Sequence, residues 1–282
     1  MNRRSIGPLR IVLDLILLVA CGIPILIYKF AGSPFKRGFY CGDESIRYPY
    51  HDSTVPSELL IPVGLVIPII IIVLVECLRC FRWDKRGDSH ILFGSRPIHR
   101  VLIYSYQFIG SFLVGACLNQ VAVNVAKYTV GRHRPHFIDI CKPSVGMKCH
   151  PNNTDTYMTD FTCTGSDKDA IEDSMLSFYS GHSAYSLYVA VYTVLYLQYR
   201  LDRSLYSPII LPILQSILII VATYVSFTRI SDYKHHWSDV LIGMIMGTLF
   251  ALFTAIMVSR MFERRKVYVD VEEGKNGGGR RE

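Results

Sequence analysis

Charged residues are scarce in this chain. They make up 19% of its 282 residues, against 50% hydrophobic ones, and they are nearly missing from six stretches of about 20 residues each. Uncharged runs of that length exclude a water-soluble globular domain. Strict alternation of apolar and polar residues is lacking too, which excludes a membrane β-barrel. Internal repeats and a second, polar domain are also lacking. No cluster of carboxylates with the spacing that holds Mg²⁺ or Zn²⁺ occurs, so no metal and no cofactor is expected.

What remains is apolar sequence in helix-sized blocks, roughly 9–28, 59–77, 101–126, 183–199, 207–226 and 238–259. A helix of about 20 residues crosses the ~30 Å hydrocarbon layer and satisfies its own backbone there. The expected fold is all-α, a polytopic membrane bundle of six transmembrane helices. Asp14 and the length of the first block argue for a retained span rather than a signal peptide. Three segments are expected: a basic lead (1–8), a membrane domain (9–259) and a disordered, solvated tail (260–282).

The net charge of +7 does not point to nucleic acid, because its distribution follows the membrane. With six spans both termini share a side, and the segments on that side hold 18 of the 30 Lys and Arg residues. That side is therefore cytoplasmic, and the loops 29–58, 127–182 and 227–237 face outward. The sequon at Asn152 lies in the longest outer loop and reads as a glycosylation site. Cys41, Cys141, Cys149 and Cys163 also lie in outer loops, where disulfides are permitted; four cysteines allow three pairings. A zinc site from Cys141, Cys149 and His150 is disfavoured in an oxidising compartment. The plasma membrane is the expected location, with ER and Golgi membranes as the alternatives. The 29–58 loop, rich in Tyr, Pro and Gly, reads as a lid or plug.

Three polar clusters stand where outer loops meet spans. The first, Lys127 to Pro135, places Lys127, Arg132 and Arg134 on the side where the topology bias opposes cations. That placement favours anion binding over snorkelling. The second, Ser177 to Ser183, offers the Ser180 hydroxyl, the close backbone approach of Gly181 and the proton of His182 at a helix start. The bland reading is an N-cap with an interfacial histidine. The third, Thr228 to Asp239, brings Arg229, His235 and Asp239. If a helix begins near His235, Asp239 lies one turn on, where a carboxylate can orient an imidazole; His236 reaches the same face.

Phosphoryl transfer spreads negative charge over three equatorial oxygens, with the nucleophile and leaving oxygen in line. Fixed cations plus two separate histidines meet that demand without a metal. At these residues the chain resembles the type 2 phosphatidic acid phosphatase superfamily, which includes the vanadium haloperoxidases. The pattern K-x6-R-P is met by Lys127, Arg134 and Pro135. P-S-G-H is met by Ser180, Gly181 and His182, with Tyr179 for proline. S-R-x5-H-x3-D is met by Arg229, His235 and Asp239, with Thr228 for serine. Longer strings, Arg37 to Tyr50 among them, look like the animal lipid phosphate phosphatases.

The resemblance implies His235 as nucleophile, Asp239 as its orienter and His182 as proton donor. It implies Lys127, Arg134, Ser180, Gly181 and Arg229 as the phosphate cradle. The implied substrates are phosphatidate, lysophosphatidate, ceramide 1-phosphate and sphingosine 1-phosphate, cleaved at the outer membrane face. A polyprenyl or sugar phosphatase, a transferase and an inactive lipid-binding relative are the competing readings; an inactive relative is expected to lose a histidine or cation of the site. Against a channel or transporter, Asp14 pairs with Arg10, and Asn119, Gln120 and Asn124 read as interhelical hydrogen bonds. Gly243 and Gly247 form a small-xxx-small pair, read as a packing contact or a homo-oligomer contact.

Overall fold

A computed structural model describes residues 8–83, 90–93, 96–144, 155–201 and 207–262. Eight α-helices occur there in chain order: α1 (Pro8–Ala31), α2 (Ser57–Leu78), α3 (Arg100–Val130), α4 (Phe137–Cys141), α5 (Lys168–Ser174), α6 (Gly181–Leu201), α7 (Ile210–Ser231) and α8 (Trp237–Phe253). Four short strands accompany them: β1 (Phe39–Tyr40), β2 (His90–Phe93), β3 (Arg96–His99) and β4 (Tyr157–Met158). The expected 1–8 lead and the 260–282 tail fall almost wholly outside the described residues.

Five helical stretches are long and apolar enough to cross a membrane: Leu9–Ala31, Ser57–Phe81, Arg100–Val130, Ile210–Ser231 and Trp237–Val258. The sixth expected span forms a helix of the right length, α6, but is too polar to count among them. The reason is positional. Helix α6 packs against α2, α3, α7 and α8, so its side chains meet protein rather than lipid. Tyr188, Tyr192 and Tyr196 recur at four-residue spacing on one face. Their hydroxyls donate to the carbonyls of Phe112, Phe108 and Ile72 across the helix boundaries, at 2.6, 2.8 and 3.2 Å. A buried tyrosine needs such a partner for its hydroxyl, and each of these has one.

Close approach of α8 to α6 depends on glycine. A Cβ at Gly243 would lie 2.6 Å from the Ser180 carbonyl oxygen, and one at Gly247 would strike the backbone of Ala184. The small-xxx-small pair is thus an intrachain packing contact and lends nothing to an oligomer. At the far end of α6, Arg200 is bound to the buried Glu76 of α2. Eighteen residues of helix put that ion pair ~27 Å from His182.

One expectation for the spans is met, with an added partner, and one needs correcting. Asp14 sits 3.9 Å from Arg10, yet its shorter contact is with Tyr106 of α3, whose hydroxyl donates at 2.5 Å. Gln120 donates to Asn124 within α3 itself at 3.2 Å, and neither polar atom of the buried Asn119 has a protein partner. Residues four apart on a helix are already neighbours, so this pair needs no second helix.

The outer segments build a small cap. β1 pairs antiparallel with β4, with Phe39 opposite Met158. Phe39, Cys41, Ile46, Phe137, Cys141 and Met158 form its apolar nucleus. Cys141 is bonded to Cys163, which removes its thiolate from any zinc site, and Cys41 is disulfide-bonded as well. Cys149, His150 and Asn152 lie outside the described residues. Residues 47–55 of the first outer loop run across the end of the bundle, tied down by Tyr48 N–H on the Pro135 carbonyl at 2.9 Å and Tyr50 N–H on Asp139 at 2.9 Å.

Candidate active site

The site begins where α3 stops. Gly131 closes that helix in the left-handed region, at φ 55°, and a side chain there would collide with the Phe35 carbonyl; glycine is the residue that tolerates both demands. The turn sends the next residues back toward the bundle. Arg134 is 7% exposed, with its backbone N–H on the Ser174 carbonyl at 2.8 Å and its Nη2 on Asp173 at 2.5 Å. Arg132 donates through Nη1 to Asp239 Oδ1 at 2.5 Å and to Ser238 at 2.8 Å.

Helix α6 starts beside it. Ser180 caps the helix, accepting from the Ser183 N–H at 3.4 Å, and its own N–H donates to the Asp239 carbonyl at 3.0 Å. The first turns of α6 and α8 are thereby stitched together, with Gly181 and His182 in the opening turn of α6. The N-cap expected from the sequence is present at Ser180.

The chain reverses sharply after α7. Tyr233 adopts φ 54°, an uncommon conformation for a bulky residue, and its ring stacks on Tyr48 at 4.5 Å. This turn brings the N–H groups of both Lys234 and His235 onto the Arg229 carbonyl, at 3.1 and 3.0 Å. Arg229 is 1% exposed; it pairs with Asp232 and points Nη1 at Ser53 and the Val55 carbonyl, at 3.3 and 3.4 Å. Thr54 donates twice to Asp232. The expected lid segment therefore holds an arginine of the site.

His235 and His236 separate cleanly. His236 directs Nε2 at the His133 carbonyl, 3.0 Å away. The cations that act on His235 are Arg134, Lys127 and Arg229, and His182 is a further neighbour. Asp239 Oδ2 lies 4.0 Å from His235 Nδ1, one helical turn on. Burial first, then that ring of cations, holds His235 well below the usual histidine range. The imidazole is therefore neutral at physiological pH, the form with a free ring nitrogen. Lys234 lies 3.6 Å over the Tyr50 ring, and burial lowers it to about 8.

Arg134 Nε, Arg229 Nε and His182 Nε2 are buried with no protein hydrogen-bond partner. Leaving such a group unpaired costs about 1–3 kcal/mol, so the two guanidinium donors beside one histidine mark a place suited to acceptor oxygens, with the His182 ring nitrogen next to them. Among the described residues no group of three His, Cys, Asp or Glu is arranged to hold a metal.

The cap carries its own pH dependence. His133 and His136 are 4% and 2% exposed, and burial lowers both to about 4. Unfolded, they bind protons below about 6.5. Stability is complete above that pH and is lost as pH falls from about 6.5 to 4, by on the order of 2 kcal/mol per histidine at pH 5. The apparent melting temperature in detergent is expected to drop between pH 7 and pH 5, and to drop less in His136→Gln. An unchanged melting temperature in both would contradict it.

Of the residues singled out from sequence, Lys127, Arg134, His182, Arg229 and His235 come together, and Ser180, Gly181 and Asp239 meet at the two helix starts. Asp173 escaped the sequence reading; Ser177 and Asp232 lay inside the clusters it singled out, and the 47–55 segment inside the 29–58 loop, but none of the three was given a partner in the site.

Residues 108–263 match the model of the PAP2 superfamily. The chain is 38% identical to phospholipid phosphatase 1 of Rattus norvegicus over 255 residues, covering 90% of this chain and 86% of that protein. It is 36% identical to phospholipid phosphatase 2 of Homo sapiens, covering 90% and 84%. No solved structure matches it significantly.

Proposed function

This chain belongs to the PAP2 superfamily, and from that premise we propose that it hydrolyses lipid phosphate monoesters at the outer face of a membrane through a phosphohistidine. The observation that carries this reading is the convergence of two partnerless buried guanidinium donors, on Arg134 and Arg229, and the partnerless Nε2 of His182 around a neutral His235. Lys127, Arg134, Arg229, the Ser180 hydroxyl and the Gly181 N–H bind the phosphate oxygens. His235 attacks phosphorus; the N–P bond forms as the P–O bond to the alkoxide breaks, and His182 delivers a proton to that alkoxide. Water then attacks phosphorus with His182 taking its proton, and the N–P bond breaks to release phosphate. Asp239 orients the nucleophile. The positive charge the reaction needs comes from side chains, without a metal.

Substrates of this chemistry are phosphatidate, lysophosphatidate, ceramide 1-phosphate and sphingosine 1-phosphate. Six spans, with α6 the central one and both termini cytoplasmic, put the helix ends that carry the site at headgroup depth on the outer side. The disulfide Cys141–Cys163 supports an oxidising compartment for the cap, and the plasma membrane fits that sidedness. The phosphatase domain spans 9–259. Purified protein is expected to turn over lysophosphatidate in mixed micelles with a kcat/KM at least about 100-fold above that for glycerol 3-phosphate, since binding of remote substrate parts lowers the barrier. Equal values for the two would remove the lipid from the reading.

A further inference from the structure

His235 and Asp239 are too far apart for a hydrogen bond, at 4.0 Å. Between them lies Ser177. Its Oγ is 2.5 Å from Asp239 Oδ2 and 3.4 Å from His235 Nδ1, and the residue is fully buried. From this geometry we infer that Ser177 is a positioning residue of the reaction, linking the Asp239 carboxylate to the nucleophilic imidazole through its hydroxyl. The inference rests on the reading of His235 as nucleophile.

Hydrogen-bond inventory assigns the protons. An ionised carboxylate only accepts, and a hydroxyl has one hydrogen. At 2.5 Å from Asp239 that hydrogen belongs on the serine–aspartate contact. The serine oxygen is then an acceptor toward Nδ1, so Nδ1 carries the hydrogen of neutral His235. The lone pair is left on Nε2, the nitrogen that attacks phosphorus. A long contact of 3.4 Å is usual for catalytic groups before substrate tightens them.

The carboxylate is not at liberty to replace the serine. Arg132 holds its Oδ1 at 2.5 Å, and the His236 N–H donates to Oδ2 at 3.3 Å. Ser177 is itself fixed through its N–H on the Arg132 carbonyl at 2.9 Å. Arg132 thus anchors both ends of the link, its guanidinium on Asp239 and its carbonyl on Ser177. A serine that served only to satisfy a buried carboxylate would need no imidazole on its other side.

The test uses the full chain in detergent micelles with lysophosphatidate, comparing wild type, Ser177→Ala, Ser177→Thr and His235→Ala. Ser177→Ala is expected to lower kcat about 100-fold, the scale of lost support to a reactive ligand, with KM within about threefold. Inorganic phosphate, which reads the cation cradle alone, is expected to inhibit it with a Ki within about threefold of wild type. Ser177→Thr, which keeps the hydroxyl, is expected to recover at least about tenfold of the loss. A kcat within threefold of wild type in Ser177→Ala would overturn the inference. So would a loss in which phosphate inhibition disappears and threonine restores nothing, since that marks a structural role. Full activity in His235→Ala, or none in the wild type, would instead strike the nucleophile assignment beneath it.

Discussion

His235→Ala is expected to lose at least about 10⁴-fold in kcat, and His182→Ala to fall comparably. In the proposed mechanism the first change removes the atom that bonds to phosphorus, and the second leaves the alkoxide without its proton. His236→Ala is the internal control, one residue away and equally a histidine. Its ring is committed to the His133 carbonyl, at 3.0 Å, and it lies outside the ring of cations around His235. It should keep much of the activity. If His236→Ala were dead and His235→Ala active, the roles assigned at the start of α8 would be reversed. Phosphate release from lysophosphatidate by the three variants, at matched melting temperatures, decides it.

Arg229→Ala is the second large effect, about 10²–10³-fold in kcat/KM, the range for removing one fixed donor to developing charge. The guanidinium is nearly inaccessible to solvent and is held from two sides, by Asp232 and by Ser53 with the Val55 carbonyl. One face of the fork is spent on that support, and the partnerless Nε remains for substrate. Arg229→Lys should recover little, because an ammonium keeps the charge but cannot make both sets of bonds. Asp232→Asn should cost about tenfold, acting through the arginine it steadies. Activity of Arg229→Ala within tenfold of wild type would contradict the cradle.

The transmembrane bundle was largely legible in the sequence because apolar runs of helical length leave few alternatives. Helix α6 was the hard case. It spends its polarity on tyrosines whose hydroxyls reach carbonyls on α2 and α3, so although 183–199 is expected as a span it falls short of the five strongly apolar helices. The charged clusters were legible for the opposite reason, being cations where topology disfavours them. Their partners were not. Asp173, in α5, has no spacing relation to Arg134, and Thr54 meets Asp232 across 178 positions. Ser177 was visible within a longer string, yet its place between His235 and Asp239 is a product of three chain segments meeting. Spacing placed Asp239 one turn from His235 but suggested a direct contact that the fold fills with a serine.

The most direct measurement is phosphate release from lysophosphatidate micelles in the presence of EDTA, comparing wild type with His235→Ala. The account predicts steady release by the wild type, unaffected by the chelator, and none by the variant. Release that requires added metal, or that continues in His235→Ala, would contradict a side-chain phosphate cradle built around a nucleophilic histidine.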